Sequence, residues 1–182
     1  MTTTEVLQRF EETVSVYIHE LGSFSLDQLQ HKPSHDEWSI GQMVQHLINS
    51  ALYMQLRHVD QCLLPSQDLQ VTLAQKNEDG IAIFAQGSFP PIRVHVPPSP
   101  QYTPDQPESK EQLIQGLHTV VQRMKEVEPA LHKASNRHTI PHPRFGGLCA
   151  EEWFRLVEMH YRHHLLQLDR LKQSVYGKGE GR

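Results

Sequence analysis

Toward its C-terminal end the chain reads Glu158-Met-His160-Tyr-Arg-His163-His164-Leu-Leu-Gln167. On an α-helix His160 and His164, four residues apart, stand about 5–6 Å from each other on one face. At about 100° per residue, Trp153, His160, His164, Gln167 and Leu171 fall within roughly 60° of one another. The histidine pair therefore lies inside an apolar stripe, with His163 at its edge or in solvent. Buried imidazole nitrogens cost free energy unless they are paired. Neighbouring hydroxyls or carbonyls can satisfy them, and a divalent ion satisfies both at once. Two ligands hold such an ion weakly. His46, on the flank of another apolar helix face and pointed into the interior, is the best candidate for a third. Three neutral imidazoles leave the ion its full charge and an open position, the pattern of a catalytic rather than a structural site.

The surrounding chemistry narrows what such a site would do. No His-Glu-x-x-His, no Ser/His/Asp or Cys/His arrangement and no Gly-rich phosphate loop accompanies the histidines. The reactive group would then be a ligand of the ion: water, with its pKa brought toward about 7, or the thiolate of a small thiol. His142, before Pro143 in the loop entering the last helix, is the candidate catalytic proton shuttle, an ordinary surface histidine being the other reading. Glu151, Glu158 and Asp169 fall opposite the stripe, where a solvated face is the simplest expectation. Arg144 suits an anionic substrate group or bulk solvent. Phe145, Tyr161 and Trp153 suit core packing or a pocket wall, and Gln167 a hydrogen bond within the site or across the bundle.

Four stretches of helical periodicity must position these residues. The first, residues 4–21, carries Leu7, Phe10, Val14, Tyr17 and Leu21. The second starts at Ser39, whose capping box closes with Gln42 and whose flanking Trp38 and Met43 form a candidate hydrophobic staple. Its stripe runs through Met43, Leu47, Ala51 and Met54, beside Val44, Ile48 and Leu52, to about Cys62. A similar pattern over residues 24–29 predicts a short preceding helix closed by Pro33. The third stretch, 110–131, repeats Leu113, Leu117, Val120, Met124, Val127 and Leu131, and the fourth occupies 150–175. Residues 63–107 between the second and third hold eight of the twelve prolines. Helix hairpins use about 2–8 residues, so this segment is read as a crossover that sets the third helix parallel to the second. The alternation Ile92-Arg-Val-His-Val96 predicts a short extended piece inside it.

Composition bounds the rest. A chain of 182 residues is read as one domain over 1–176 with a frayed tail at 177–182. Apolar runs stop at four or five residues, and the N-terminus has neither a basic start nor an apolar core, which predicts no membrane span and no signal peptide. Two cysteines cannot build a disulfide framework or a zinc ribbon, so a reducing cytoplasm is expected. A net charge of −4 and a pI near 6.3 argue against nucleic acid as a partner. Thirteen histidines are the unusual resource.

The order Trp38-Ser39, His46-Leu47, a Pro-rich crossover, His142-Pro-Arg-Phe-Gly-Gly-Leu148, Glu152-Trp153 and His160-x-x-x-His164-x-x-Gln167-Leu168 resembles the DinB-like superfamily. The likeness is nearest to its YfiT-like branch of metal-dependent hydrolases and runs from about residue 7 to 172. It implies an all-α four-helix bundle of up-down-down-up order, with a divalent ion, most often zinc or nickel, held by His46, His160 and His164. Relatives include S-transferases and isomerases that use low-molecular-weight thiols such as bacillithiol or mycothiol, and homodimers are frequent among them. The implied function is a metal-dependent thiol S-transferase or hydrolase acting on a small molecule; the alternative is a non-catalytic, stress-related metal-binding or interaction module. Two positions depart from the pattern. Cys149 stands where a Ser or Thr cap is expected before Glu152, and Leu166 replaces a small or basic residue before Gln167.

Overall fold

Most of the helix starts are encoded by a side chain that takes up the first free backbone N–H groups. Thr2, Ser25 and Ser39 do this with reciprocal partners Glu5, Gln28 and Gln42. In the computed structural model, which describes residues 1–64, 74–92, 103–134 and 138–177, these caps open α1 (Thr3–Ser23), α2 (Leu26–Gln30) and α3 (Ile40–Ser50). A π-helical turn (Ala51–Gln55) carries α3 into α4 (Leu56–Leu63), and α5 (Glu78–Gln86), α6 (Lys110–Leu131) and α7 (Ala150–Tyr176) follow. Asn77 caps α5 and Ser109 caps α6. At α7 the Cys149 N–H donates to the Glu152 carboxylate at 3.0 Å, so the first turn is held even with sulfur at the cap position.

Contacts along the helices fix their directions. Thr3 bonds Glu128 and Lys110 bonds the carbonyl of Gly22, so α1 and α6 run antiparallel. Gly41 faces Pro107, Gly116 faces Ile48, and Arg123 pairs with Asp60, so α6 runs parallel to the α3–α4 helix. Arg9 meets Glu158 and Glu20 meets Lys172, which sets α7 parallel to α1. The order is up-down-down-up, as the resemblance implied. The four long helices bury one continuous core, with Phe10, Tyr17, Met43, Leu47, Leu117, Met124, Trp153 and Tyr161 closed to solvent. Among the described residues no helix is long and apolar enough to cross a membrane.

Four details differ from the sequence reading. The second helix is not continuous α: its π turn takes up one residue without advancing the apolar stripe. Before it Met43, Val44, Leu47 and Ile48 are buried; within it the first and last residues, Ala51 and Gln55, are buried while Met54 drops to the margin, and beyond it Leu56, Val59 and Cys62 are buried. Second, the crossover contains α5, whose Asn77 cap and left-handed Gly87 stop were legible but not used. Third, a small antiparallel hairpin, β1 (Thr139–His142) with β2 (Gly146–Cys149), precedes α7. Its closeness to the crossover needs glycine, since a Cβ on Gly147 would stand 1.9 Å from the Ala74 carbonyl oxygen.

Fourth, Glu158 is not on a solvated face but fully buried. Helix α7 packs on two sides, against α3–α4 through the histidine stripe and against α1 through Tyr161, whose ring meets Phe10 and Tyr17 roughly 100° around the helix from His160. Glu158 sits beyond that second face, where Arg162 donates to it at 2.7 and 3.2 Å and Arg9 approaches to 3.9 Å. Arg162 also donates to the Gly87 carbonyl at 2.6 Å, and the Asn77 amide donates to the Arg144 carbonyl at 2.9 Å. The crossover is thereby tied to α7 and to the hairpin. Of the expected extended piece only Ile92 is described, and residues 93–96, like the tail 178–182, lie outside the described residues.

Candidate metal centre

His46 enters from α3, and His160 and His164 from successive turns of the antiparallel α7. Their Nε2 atoms converge: His46 to His160 at 3.2 Å and His164 to His160 at 3.1 Å, with all three ligand atoms within 4.8 Å of one another. Two nitrogens each bound at about 2.05 Å to one ion lie about 3.3 Å apart at the tetrahedral angle and about 2.9 Å apart at a right angle. The two spacings to His160 fall between those limits, and the trio is a group that could hold one divalent ion.

Each ring has its own support. The Nδ1–H of His164 donates to Gln167 Oε1 at 2.8 Å, which keeps the lone pair on Nε2. Ser50 Oγ stands 3.5 Å from His46 Nδ1, and the Trp38 ring packs on His46 at 5.0 Å. His160 Nδ1 is buried with no protein partner. Burial holds all three imidazoles neutral, with His46 lowered to about 4, His164 to about 3, and His160 well below its ordinary value. Neutral imidazole is the form that binds metals. The trio opens onto a cavity of about 840 Å³ walled by α3–α4, α5 with the segment after it, the hairpin loop and α7.

The family model for the DinB superfamily matches residues 9–168. The chain belongs to the DinB superfamily. A relative, the uncharacterized protein YuaE of Bacillus subtilis (strain 168), is 22% identical over 161 residues, spanning 86% of this chain and 91% of its own. No solved structure matches.

In this DinB protein the sequence-read residues are distributed unequally about the site. His46, His160 and His164 meet, Gln167 stands directly behind His164, and His163 lies at the stripe's edge with its ring 5.5 Å from Phe89. His142 lines the same cavity from the hairpin, stacked on Phe145 at 4.4 Å, and its Nδ1 accepts from the Arg144 N–H at 3.1 Å. That bond leaves the proton on Nε2, and burial lowers this imidazole to about 4. Arg144 and Phe145 line the cavity, whereas Trp153 and Tyr161 are fully buried core residues. Cys149 is buried with its thiol pushed up, against a nucleophilic role. Sequence reasoning missed Ser50, Gln55 and Phe89 as lining residues. Only the hydroxyl one turn after His46 carried a local signal for the first; the other two depend on the π turn and on where α5 docks.

Proposed function

We propose that this chain is a metal-dependent enzyme acting on a small molecule, with His46, His160 and His164 holding a divalent ion, zinc or nickel. The observation that carries the reading is the convergence of three neutral Nε2 donors at the floor of a sizeable cavity. A bound ion there supplies Lewis acidity that lowers the pKa of a thiol or of water at its open position. The chain's own residues do the rest. Gln167 fixes the tautomer and orientation of His164, and Trp38 shields His46. Trp38, Ile83, Phe89 and Phe145 offer an apolar wall that displaces water from a substrate body. His142, neutral across the physiological range, acts as an N–H donor that orients the reacting group rather than as a group titrating near pH 7. A low-molecular-weight thiol with an electrophilic partner, or a small hydrolysable substrate, fits this arrangement, in line with the YfiT-like resemblance.

The test is metal analysis of protein purified without a histidine tag, beside His160→Ala. Near-stoichiometric zinc or nickel in the parent, lost in the variant, is expected; no metal in either after incubation with both ions overturns the reading. Cobalt- or nickel-loaded protein titrated with cysteine, bacillithiol and glutathione should develop charge-transfer absorption for at least one thiol if thiol chemistry is the function. An ester and amide panel reports on hydrolysis.

A further inference from the structure

Gln55 closes the π turn and is only 2% exposed, yet it lines the cavity and its Oε1 has no hydrogen-bond partner. Other glutamines of the bundle are engaged: Gln42 bonds the Ser39 backbone and the Pro104 carbonyl, Gln30 the Pro107 carbonyl, and Gln167 His164. A continuous α-helix would have turned apolar Met54 inward at this level. The π turn instead puts an amide in the stripe, where an acceptor kept from water without a partner is unfavourable for the fold. Such a group in a native structure calls for an explanation, a functional role being one, and π turns inside helices recur at functional sites.

The charged groups lining the cavity are all outside its buried part: Asp36, Asp79 and Arg144 are exposed, and Glu37 and Arg170 are half-buried. An ionic group would be read there, whereas Gln55 sits among neutral walls such as Ile83, Phe145 and Leu156. Gln55 lies nine positions after His46, about 13 Å along the helix. We propose that Gln55 is a specificity-determining residue. Its amide oxygen accepts a hydrogen bond from a neutral N–H or O–H group, a secondary amide or a hydroxyl, carried on the apolar body of a substrate whose other end meets the histidines. The inference rests on the proposed function only in taking this cavity as the substrate site.

The test uses matched probes and isothermal titration on the full chain, zinc-loaded and metal-free. The probes are N-benzylhexanamide and N-benzyl-6-mercaptohexanamide, each beside its N-methyl twin, which lacks the donor. The parent is expected to prefer the N–H member of each pair by about tenfold. Gln55→Met should erase that preference by weakening the N–H member alone, and Gln55→Glu, which keeps an acceptor, should retain it. Equal binding of the twins by the parent, a preference that survives Gln55→Met, or binding of neither pair overturns the proposal. A thiol that adds no affinity in the zinc-loaded protein would count against the metal reading, while the donor preference in the metal-free protein reports on Gln55 by itself.

Discussion

Replacing Gln167 by leucine should weaken zinc binding without disturbing the fold. Gln167 is half-buried, touches no ion itself, and acts through one bond, from His164 Nδ1–H to its Oε1 at 2.8 Å. That bond keeps the lone pair on Nε2 and stops the ring from turning. Partners of this kind behind a metal-bound histidine are worth about 10- to 100-fold in affinity, or roughly 1.4–2.7 kcal/mol. The loss here should fall in the upper half of that range. His160 Nδ1 has no protein partner and the Ser50 contact to His46 is long at 3.5 Å, so Gln167 is the firmest such support among the described residues. Competition against a chromophoric zinc chelator gives the affinities, and urea midpoints check that the variants fold. Gln167→Glu keeps the acceptor and adds negative charge, so it should bind zinc at least as tightly as the parent. A leucine variant within threefold of the parent, or a glutamate variant that weakens as much as the leucine one, would refute the reasoning.

Acid should destabilise the metal-free protein in a defined window. His46 and His164 titrate at about 4 and about 3 in the fold against 6.5 when free, so the unfolded chain binds more protons below pH 6.5. Stability present above that pH is lost as pH falls toward 4. Urea midpoints from pH 7.5 to 4.5 should decline, and decline less in His164→Leu; a flat parent profile would contradict the burial of the trio. Removing the carboxylate charge with Glu158→Gln strands Arg162 and Arg9 around a buried neutral group. The expected loss is on the order of 2–3 kcal/mol in chemical denaturation, below that of a fully buried pair because Arg162 keeps 30% of its side chain in solvent. A loss under about 0.5 kcal/mol would mean that the pair behaves as a surface one.

What could be read from the sequence follows from how local its cause is. Capping boxes at Ser25 and Ser39, the stripe of the first helix and the span of α6 depend on neighbours within a few residues, and all are present in the structure. The pairing of His160 with His164 is also local, being one helical turn. His46 joins them through packing alone, and it was inferred from the face it occupies. The π turn escaped because it changes no residue type; it shows only when Gln55 rather than Met54 is found inside. Glu158 was misplaced because a helical wheel with one buried stripe cannot describe a helix packed on two sides. Helix α5 lay hidden in the Pro-rich crossover and the hairpin was legible only as the loop entering the last helix, so the entrance they shape could be expected but not the elements that wall it.

The ligand set draws on residues 114 apart in the chain, His46 and His160, on helices that run in opposite directions. An ion held by both would behave as a detachable clasp across most of the polypeptide. A covalent bridge closing a loop of such length restricts the denatured ensemble by about 4–5 kcal/mol. Chelators would then slacken the whole molecule rather than empty one corner of it, and an ion's arrival would report that the second and last long helices of the bundle had already found each other.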